Sequence, residues 1–409
     1  MEYGYAQKRT KTSSLPITPV PALRCSSESC RDTLNLAVYK TSTYNAKNWD
    51  LHSKWVDVNI QSIPVTGCFR TEMPFIFRLP CNARKHGLMI LITGASGQIG
   101  VDLADVLVER HGDDQVLVTD LRIPELQRSG RSYDVLDVTY MESVEKIIQA
   151  HDVHTIFHLA GILSATGERH PELAWNVNVN GVRNILEAAR RFDCKVFWPS
   201  SIAVFGPTTP KDDTPQETVT EPGTMYGATK VTGELLCKFH ATHHGVDVRS
   251  VRFPGIVSHS APPGGGTTDW AVDMFFEAVR RGRYECFVME NTRLPMMYMP
   301  DAVKSVLDLM DAPNTSLTVR TSYNIAAFSF SAGELASTLK KYVPAFECTY
   351  VPDYRQDIAN SWPVSINDER ARQDWQWMPE YDLDSMVQDM LHHVREKVAK
   401  ERADSADNQ

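Results

Sequence analysis

A strand, a glycine-rich turn and a helix are predicted within Leu88–Gly112, and the rest of the chain is organised around this unit. Met89–Thr93 is a short apolar run typical of a strand buried on both faces. Gly94, Gly97 and Gly100 follow at three-residue spacing and lead into an amphipathic run. Such glycines allow a tight turn, a close backbone approach to a pyrophosphate, and close packing of helix on strand. The N–H groups at the start of the helix can then bind phosphate.

An acidic residue at the expected distance strengthens the prediction of a dinucleotide site. The run from Val116 to Thr119 reads as a second strand, and Asp120, at its end, lies 20 residues after Gly100. A carboxylate there hydrogen-bonds an adenosine ribose and repels a 2′-phosphate, which favours NAD over NADP. Arg122 follows two residues later and could meet a 2′-phosphate, but we expect the acid to dominate. The alternative is a structural turn that holds no ligand.

The composition excludes several classes of protein. A chain of 409 residues with a net charge of −9 can form two domains, or one with additions, and does not favour a nucleic-acid surface. No apolar run approaches the roughly 18 residues that span a membrane. Eight cysteines are scattered without CxxC spacing or a histidine cluster, which indicates free thiols in a reducing compartment. We therefore predict no metal site, no membrane association and no nucleic-acid partner.

The first 86 residues differ in composition from the rest. They are rich in Ser, Thr and Pro and show no sustained periodicity. Lys8, Arg9, Lys11 and Arg24 against Glu2 are compatible with a transit peptide. A disordered tail, or a gene-model extension upstream of a start at Met89, fits equally well, so the localisation is expected to be mitochondrial or else cytoplasmic.

After this extension, strands and helices alternate, which predicts an α/β fold with a Rossmann-like, doubly wound parallel sheet. We assign residues 88–256 to the NAD-binding domain, 257–400 to a smaller substrate-binding lobe with some segments returning to the sheet, and 401–409 to a tail. The predicted strands are Met89–Thr93, Val116–Asp120, Tyr133–Asp137, Thr155–Leu159, Lys195–Pro199 and Val246–Arg252. The predicted helices include Tyr140–His151, Pro171–Phe192, Met225–His243, Asp269–Arg281 and Asp382–Lys400.

A tyrosine and a lysine four residues apart form the second constellation. On a helix, Tyr226 and Lys230 lie on one face, so the ammonium can approach the phenol. Ser200 and Ser201 end a strand and bring a hydroxyl to the same sheet edge. Tyr226 would remove a hydroxyl proton, Ser201 would bind the oxygen, and Lys230 would hold a ribose and lower the pKa of the phenol. Alone, the pair is more often an exposed helix pair, and the context reverses those odds.

With these motifs in place, the sequence resembles the extended branch of the short-chain dehydrogenase/reductase superfamily. The resemblance implies cofactor contacts from the turn, from the strand ends and from the helix behind the site. The residues concerned are Gly94, Gly97, Gln98, Ile99, Gly100, Asp120, Asp137, Val138, Leu159, Ala160, Asn178, Tyr226, Lys230, Pro254 and Ile256. Relatives often carry Thr at the position of Ser201, and the hydroxyl is kept. Through these relatives it also implies a homodimer formed by the helices at Pro171–Phe192 and Met225–His243.

Later segments resemble the short-chain L-threonine 3-dehydrogenases within that branch. They are Gly161–Glu168, Pro254–Ile256, Pro263–Asp269, Leu294–Asp301, Tyr323–Ile325 and Asn360–Pro363. The resemblance implies NAD-dependent oxidation of L-threonine to 2-amino-3-oxobutanoate, in threonine catabolism toward glycine and acetyl-CoA. Ser164, Ser201, Tyr226 and Thr268 would contact threonine, and Trp362 would close over it.

Plainer interpretations stay open for three of these residues. Ser164 fits an ordinary loop hydroxyl, Thr268 a helix cap before Asp269, and Trp362 core packing. The rival functions are a sugar-nucleotide epimerase or dehydratase on the same scaffold, and a non-catalytic NAD-sensing protein. The intact Ser201, Tyr226 and Lys230 argue against the latter.

Overall fold

The computed structural model describes residues 89–121, 132–260 and 264–407. The extension at 1–86 and Arg122 lie outside these residues, so the expectations about them stay predictions. The strands are β1 (Met89–Thr93), β2 (Val116–Asp120), β3 (Ser132–Val135), β4 (Val153–His158), β5 (Lys195–Ser201), β6 (Val248–Phe253), β7 (Gly255–Val257), β8 (Arg283–Cys286), β9 (Arg293–Tyr298), β10 (Tyr323–Asn324), β11 (Phe328–Ser331) and β12 (Glu347–Tyr350). The helices are α1 (Gln98–His111), α2 (Met141–His151), α3 (Ser164–Arg169), α4 (Pro171–Trp175), α5 (Gly181–Phe192), α6 (Met225–His244), α7 (Trp270–Arg281), α8 (Met299–Asp311), α9 (Ala332–Tyr342), α10 (Arg355–Ser361), α11 (Glu369–Trp375) and α12 (Leu383–Asp407).

A seven-stranded parallel sheet forms the centre, in the order β10-β6-β5-β4-β1-β2-β3. The predicted doubly wound α/β fold is confirmed. The strand order reverses between β1 and β4, and ligands of such sheets bind at the carboxyl ends of the strands beside that point. The glycine turn after β1 lies at this position.

The alternation of side chains along β1 shows why both faces of the sheet are covered. Ile90 and Ile92 pack into the core beside α1 and α8, whereas Leu91 faces the core beside α2 and α5. Leu91 and Ile92 are fully buried. Truncating either to alanine costs about 2–5 kcal/mol in a core of this kind.

The predicted long helix Pro171–Phe192 is not a single α-helix. A π-helical turn, Asn176–Asn180, separates α4 from α5. In this turn the Asn178 side chain bonds the backbone of Ile162 in both directions, at 2.8 and 3.0 Å. Single π turns recur at functional sites because they redirect a side chain out of the regular helical repeat.

The C-terminal segment both returns to the sheet and builds its own core. β10 pairs with β6, while β9 lies between β7 and β11 in a three-stranded sheet. Helices α7, α9 and α12 cover a hydrophobic core that includes Trp270 and Phe330. Helix α12 continues to Asp407, beyond the predicted end at Lys400 and into the predicted tail. Among the described helices, none has the length and apolar character needed to cross a membrane.

Candidate active site

The glycine turn holds β1, β4 and α1 in close contact. Gly94 has φ +67°, and a Cβ there would lie 2.5 Å from the backbone nitrogen of Ala160. A Cβ on Gly100 would lie 2.7 Å from Cα of Ala95. Helix α1 then begins after Gly97 without a side-chain cap, so its N-terminal N–H groups face the site. Two glycines are thus needed for backbone approach, and the helix end is left available for an anion.

Asp120 lies at the carboxyl end of β2, beside this turn. Its carboxylate accepts hydrogen bonds from the backbone N–H groups of Ser96, at 3.0 Å, and Leu121, at 2.7 Å. These two bonds fix the carboxylate at the edge of the turn, where the ribose partner of a dinucleotide is required.

Five predicted cofactor residues, including Asp120, border the sheet edge without lining the central cleft. Asp137 accepts bonds from the N–H and hydroxyl of Thr139 ahead of α2, and Val138 is buried against Gly181. Ala160 packs against Gly94. Asn178, which donates to the hydroxyl of Thr229 in α6 besides bonding Ile162, acts as a support for the loop after β4.

A cleft of about 420 Å³ lies at the carboxyl ends of β1, β4 and β5. It brings together most of the predicted site residues from distant parts of the sequence. They are Gly94, Gly97, Gln98, Ile99, Gly100, Leu159, Ser164, Ser201, Tyr226, Lys230, Pro254, Ile256, Thr268 and Trp362.

The first turn of α6 places Tyr226. The hydroxyl of Thr224 caps this helix by accepting from the N–H of Gly227 at 3.0 Å. The backbone N–H of Tyr226 donates to the Glu168 carboxylate at 3.3 Å. The hydroxyl of Ser201, at the end of β5, hydrogen-bonds the phenol. The structure therefore brings the Tyr226 phenol and the Ser201 hydroxyl together in the cleft.

Lys230 is buried one turn further along α6. Its ammonium donates to the carbonyl of Pro199 at 2.7 Å and lies 5.5 Å from the centroid of the Tyr226 ring. It also stands over the ring of Trp198, at 4.8 Å. The lysine thus joins α6 to the end of β5 directly beside the reacting groups.

The pKa of the phenol is set by its burial. Burial raises the pKa of Tyr226 to about 12, and the opposing influence is the hydrogen bond from Ser201, not the ammonium of Lys230. Burial also lowers the pKa of Lys230 to about 8, against the charge of nearby Glu234. The protein alone therefore favours the neutral phenol, and a further positive charge is needed to form the phenolate.

Hydroxyl groups line the opposite wall. Ser164, the first residue of α3, is 4% exposed and lies 3.2 Å from the hydroxyl of Thr267. Its oxygen also accepts from the Thr267 N–H at 3.3 Å. Thr267 was missed in the sequence analysis because only its long-range contact with Ser164 distinguishes it from its neighbour Thr268.

Thr268 and Trp362 line the same wall. Asp269, not Thr268, occupies the N-cap position of α7, so the capping interpretation of Thr268 is wrong. Trp362 is 5% exposed and belongs to the C-terminal core while also facing the cleft. Both interpretations of this tryptophan are therefore compatible with its position.

Asp269 organises the glycine-rich loop and was also missed. Its carboxylate accepts from the N–H groups of Gly265, at 2.9 Å, and Gly266, at 2.7 Å. Gly265 has φ +88°, and its carbonyl accepts from the N–H of Ala165 in α3. Gly264 and Gly265 thus lie against Leu163 and Thr166 at the start of α3, whereas Gly266 lies against the carboxylate of Asp269.

One cluster of metal-ligating side chains lies elsewhere in the described residues. His392, His393 and Glu396 share a turn of α12. None of them lines the cleft. The absence of a metal from the site chemistry stays a prediction.

The cleft fits a nicotinamide dinucleotide. The uncapped start of α1 suits the pyrophosphate, Asp120 suits the ribose, and Leu159 and Ile256 give apolar walls. The model of the NAD dependent epimerase/dehydratase family matches residues 90–326.

The chain belongs to the NAD-dependent epimerase/dehydratase family. An uncharacterised epimerase/dehydratase of Staphylococcus haemolyticus is 46% identical over 311 residues, which are 75% of this chain and 98% of that protein. The structure of L-threonine dehydrogenase from Phytophthora infestans has 47% identity and a TM-score of 0.74, covering 76% of this chain and 99% of its own. A monomeric L-threonine 3-dehydrogenase from a metagenome has 49% identity and a TM-score of 0.74, covering 75% and 99%.

Proposed function

We propose that this protein oxidises the 3-hydroxyl of L-threonine to 2-amino-3-oxobutanoate with NAD⁺. The observation that carries the proposal is the contact of Ser201 and Tyr226, beside Lys230, at the base of a cleft shared by the glycine turn and a hydroxyl-lined wall. The choice of L-threonine as substrate is supported by the two solved L-threonine dehydrogenases named above. They are 47% and 49% identical to this chain over nearly their whole length.

The residues of the cleft divide the work of oxidation. Ser201 binds the substrate oxygen, and Tyr226 accepts the hydroxyl proton through its phenolate. NAD⁺, when bound, supplies the hydride acceptor and a positive charge near the reacting oxygen. The buried ammonium of Lys230, 5.5 Å from the centroid of the Tyr226 ring, would hold the ribose beside the reacting groups.

The opposite wall suits a small amino acid. The hydroxyls of Ser164, Thr267 and Thr268 can hydrogen-bond a carboxylate or ammonium, and Trp362 keeps water from the reacting carbon. Fixing a small zwitterion between these groups and Tyr226 converts binding energy into orientation of the reacting C–H and O–H bonds.

A sugar-nucleotide substrate is less well suited to this cleft. Lys230 is the basic side chain among the described residues of its wall, and it is already bound to Pro199. A substrate diphosphate normally requires Arg or Lys in addition to the groups that hold the cofactor.

Formation of NADH with purified protein tests the proposed function. L-Threonine is compared with L-serine, L-allo-threonine and UDP-galactose. We expect turnover of L-threonine and at least tenfold lower kcat/KM for the others. Epimerisation gives no net NADH, so conversion of UDP-galactose to UDP-glucose is followed by chromatography and would support the epimerase. A well-folded protein that binds NAD⁺ but converts none of the substrates by either readout would support the NAD-sensing alternative.

Replacing Asp120 by Ala is expected to weaken NAD⁺ binding by about tenfold and to reduce discrimination against NADP⁺. The reason is the loss of a charged partner for the ribose hydroxyls and of repulsion toward a 2′-phosphate. Dissociation constants for both dinucleotides check this, with Asp114→Ala as a control at an exposed acid in the turn before β2. Unchanged discrimination would contradict the role of Asp120.

We infer that the protein forms a homodimer through α4 and α6. These packed helices carry large apolar side chains with exposures of 47% at Leu173, 44% at Trp175, 60% at Leu235 and 46% at Phe239. Apolar side chains grouped on one surface are typical of an interface.

The double replacement Leu235→Glu with Phe239→Glu is expected to give a monomer, because buried carboxylates would oppose association. Light scattering after size-exclusion chromatography measures the mass. The matched control is Met378→Glu, at an exposed methionine outside α4 and α6. A wild-type monomer, which is the state of the metagenomic relative, would overturn the proposal.

We also propose mitochondrial localisation, which is supported by the basic residues Lys8, Arg9, Lys11 and Arg24. The matches with the named relatives span 75–76% of this chain and 98–99% of the relatives' own length. A fusion of residues 1–88 to a fluorescent protein tests this by its location in cells. Diffuse cytoplasmic fluorescence would contradict it.

A further inference from the structure

A buried carboxylate that the proposed chemistry does not use lies one turn after Lys230 on α6. Glu234 is 4% exposed, and its Oε1 accepts from the hydroxyl of Ser200 at 2.7 Å. The guanidinium of Arg252 on β6 donates to both of its oxygens, at 2.8 and 2.7 Å. Ser200, Glu234 and Arg252 are here called the relay.

The remaining donors of Arg252 extend the relay across the sheet. One nitrogen donates to the carbonyl of Gln216 at 3.1 Å and to the side-chain oxygen of Asn324 in β10 at 3.0 Å. A buried ion pair is held in one geometry when its other hydrogen-bonding groups are also satisfied. The relay is therefore a rigid connection between α6, β5, β6 and β10.

The relay borders the reacting groups on one side. Ser200 immediately precedes Ser201, and the carbonyl of Pro199 accepts from Lys230 at 2.7 Å. The end of β5 is thus tied to α6 at two consecutive residues, just before the contact of Ser201 with Tyr226. Loss of one tie would let the Ser201 hydroxyl move relative to the phenol.

Glu234 also sets the charge around Lys230. The groups that interact with this ammonium are Glu234 and Cys237 on α6 and His158 at the end of β4, with Tyr226 beside it. Burial lowers the pKa of His158 to about 3 and raises the pKa of the Cys237 thiol, so both are neutral. Among these groups, Glu234 supplies negative charge, and its ion-pair partner Arg252 offsets part of it.

We propose that the relay positions Ser201 against Tyr226 and that the Glu234 carboxylate keeps Lys230 protonated. The proposal rests on the proposed function for its catalytic meaning. Ser200 lines the cleft with its hydroxyl donating to Glu234, and Glu234 is not part of the cleft lining, so both act as positioning residues.

Ser200→Ala tests the positioning half, because it removes one tie and leaves the ion pair intact. We expect kcat for L-threonine to fall about tenfold, with KM for NAD⁺ within twofold, since a small misplacement of a catalytic group acts on the chemical step. Ser200→Thr keeps the hydroxyl and should restore kcat to within threefold.

The matched control is Ser250→Ala. It removes another buried hydroxyl, that of Ser250 on β6, which lies 2.6 Å from the hydroxyl of Ser322. We expect its kcat to stay within twofold of wild type. Equal effects of Ser200→Ala and Ser250→Ala would overturn the positioning role.

Glu234→Gln tests the charge half without any turnover. In protein labelled with ¹³C at the lysine ε-carbons, the Lys230 resonance is assigned by its loss in Lys230→Met, and its pKa is measured in wild type and variant. We expect the pKa of Lys230 to fall by about one unit, because an opposite charge is lost. The alkaline limb of the activity profile should move to lower pH by a similar amount.

Glu396→Gln, at an exposed carboxylate of α12, serves as the control and should leave both quantities unchanged. An unchanged pKa in a folded Glu234→Gln protein would overturn the charge role, and if that variant does not fold, Ser200→Ala decides the proposal. If wild type oxidises no L-threonine, the proposed function fails, whereas the lysine titration still tests the relay.

Discussion

Replacing Tyr226 by Phe is expected to lower kcat for L-threonine oxidation about a thousandfold while NAD⁺ still binds. The change removes one oxygen from a ring whose position is fixed by the first turn of α6. General base catalysis is worth roughly 10²–10⁴-fold, and the phenol of Tyr226 lies beside both Ser201 and Lys230.

The pKa of Tyr226 sets the free energy that the site needs to form the phenolate. The pKa of Tyr226 is about 12 in the protein alone, whereas an efficient general base needs a pKa near the pH of the medium. Lowering it by four units requires about 5 kcal/mol, since each unit is about 1.4 kcal/mol. This pKa already includes the surroundings of Lys230, so the positive nicotinamide ring of bound NAD⁺ has to supply an energy of this order in a water-poor cleft.

Steady-state kinetics and NAD⁺ titration by fluorescence test this prediction. Tyr342→Phe is the control, because it removes the hydroxyl of a surface tyrosine that donates to Asp384 at 2.7 Å. Its kcat should stay within twofold of wild type. Retention of more than a tenth of the activity by Tyr226→Phe would exclude Tyr226 as the base.

Gly94→Ala is expected to have the second large effect, on both folding and cofactor binding. The added methyl group would lie 2.5 and 2.6 Å from the backbone of Ala160, and the residue would have to keep φ +67°. Backbone atoms cannot move aside as a flexible side chain can, so β4 must shift away from the turn. We expect a loss of several kcal/mol of stability and at least tenfold weaker NAD⁺ binding.

Thermal unfolding with and without NAD⁺ measures both consequences. Gly223→Ala is the matched control, since a Cβ there meets nothing within 4 Å and the residue is not in the left-handed region. Its melting temperature should stay within about 2 °C of wild type. A melting temperature of Gly94→Ala equal to that of Gly223→Ala would show that the turn adapts to a side chain.

Local sequence patterns predicted the features that depend on neighbouring residues. The run Met89–Thr93 and the spacing of Gly94, Gly97 and Gly100 specify β1 and its turn, because burial and backbone conformation there are set within a few positions. The four-residue spacing of Tyr226 and Lys230 likewise follows from helical geometry.

Features that depend on distant partners were not predicted. Glu234 has the appearance of an ordinary polar residue in a helix until Arg252 and Ser200 are placed beside it by β5 and β6. Thr267 acquires its meaning from Ser164, more than 100 residues earlier. The pKa of Tyr226 also required the full surroundings, because burial raises it more than the neighbouring Ser201 hydroxyl lowers it.

The edge strand β10 constrains how the chain is completed during synthesis. It comes from the late segment Tyr323–Asn324, yet it pairs with β6 and receives a bond from Arg252. A nascent chain that has emerged only to residue 256 would expose the backbone groups along β6 and leave Arg252 short of an acceptor. Such unpaired edges recruit other chains, so aggregation of early fragments is the characteristic failure of this arrangement. The central sheet is therefore completed only after the chain has been made as far as β10.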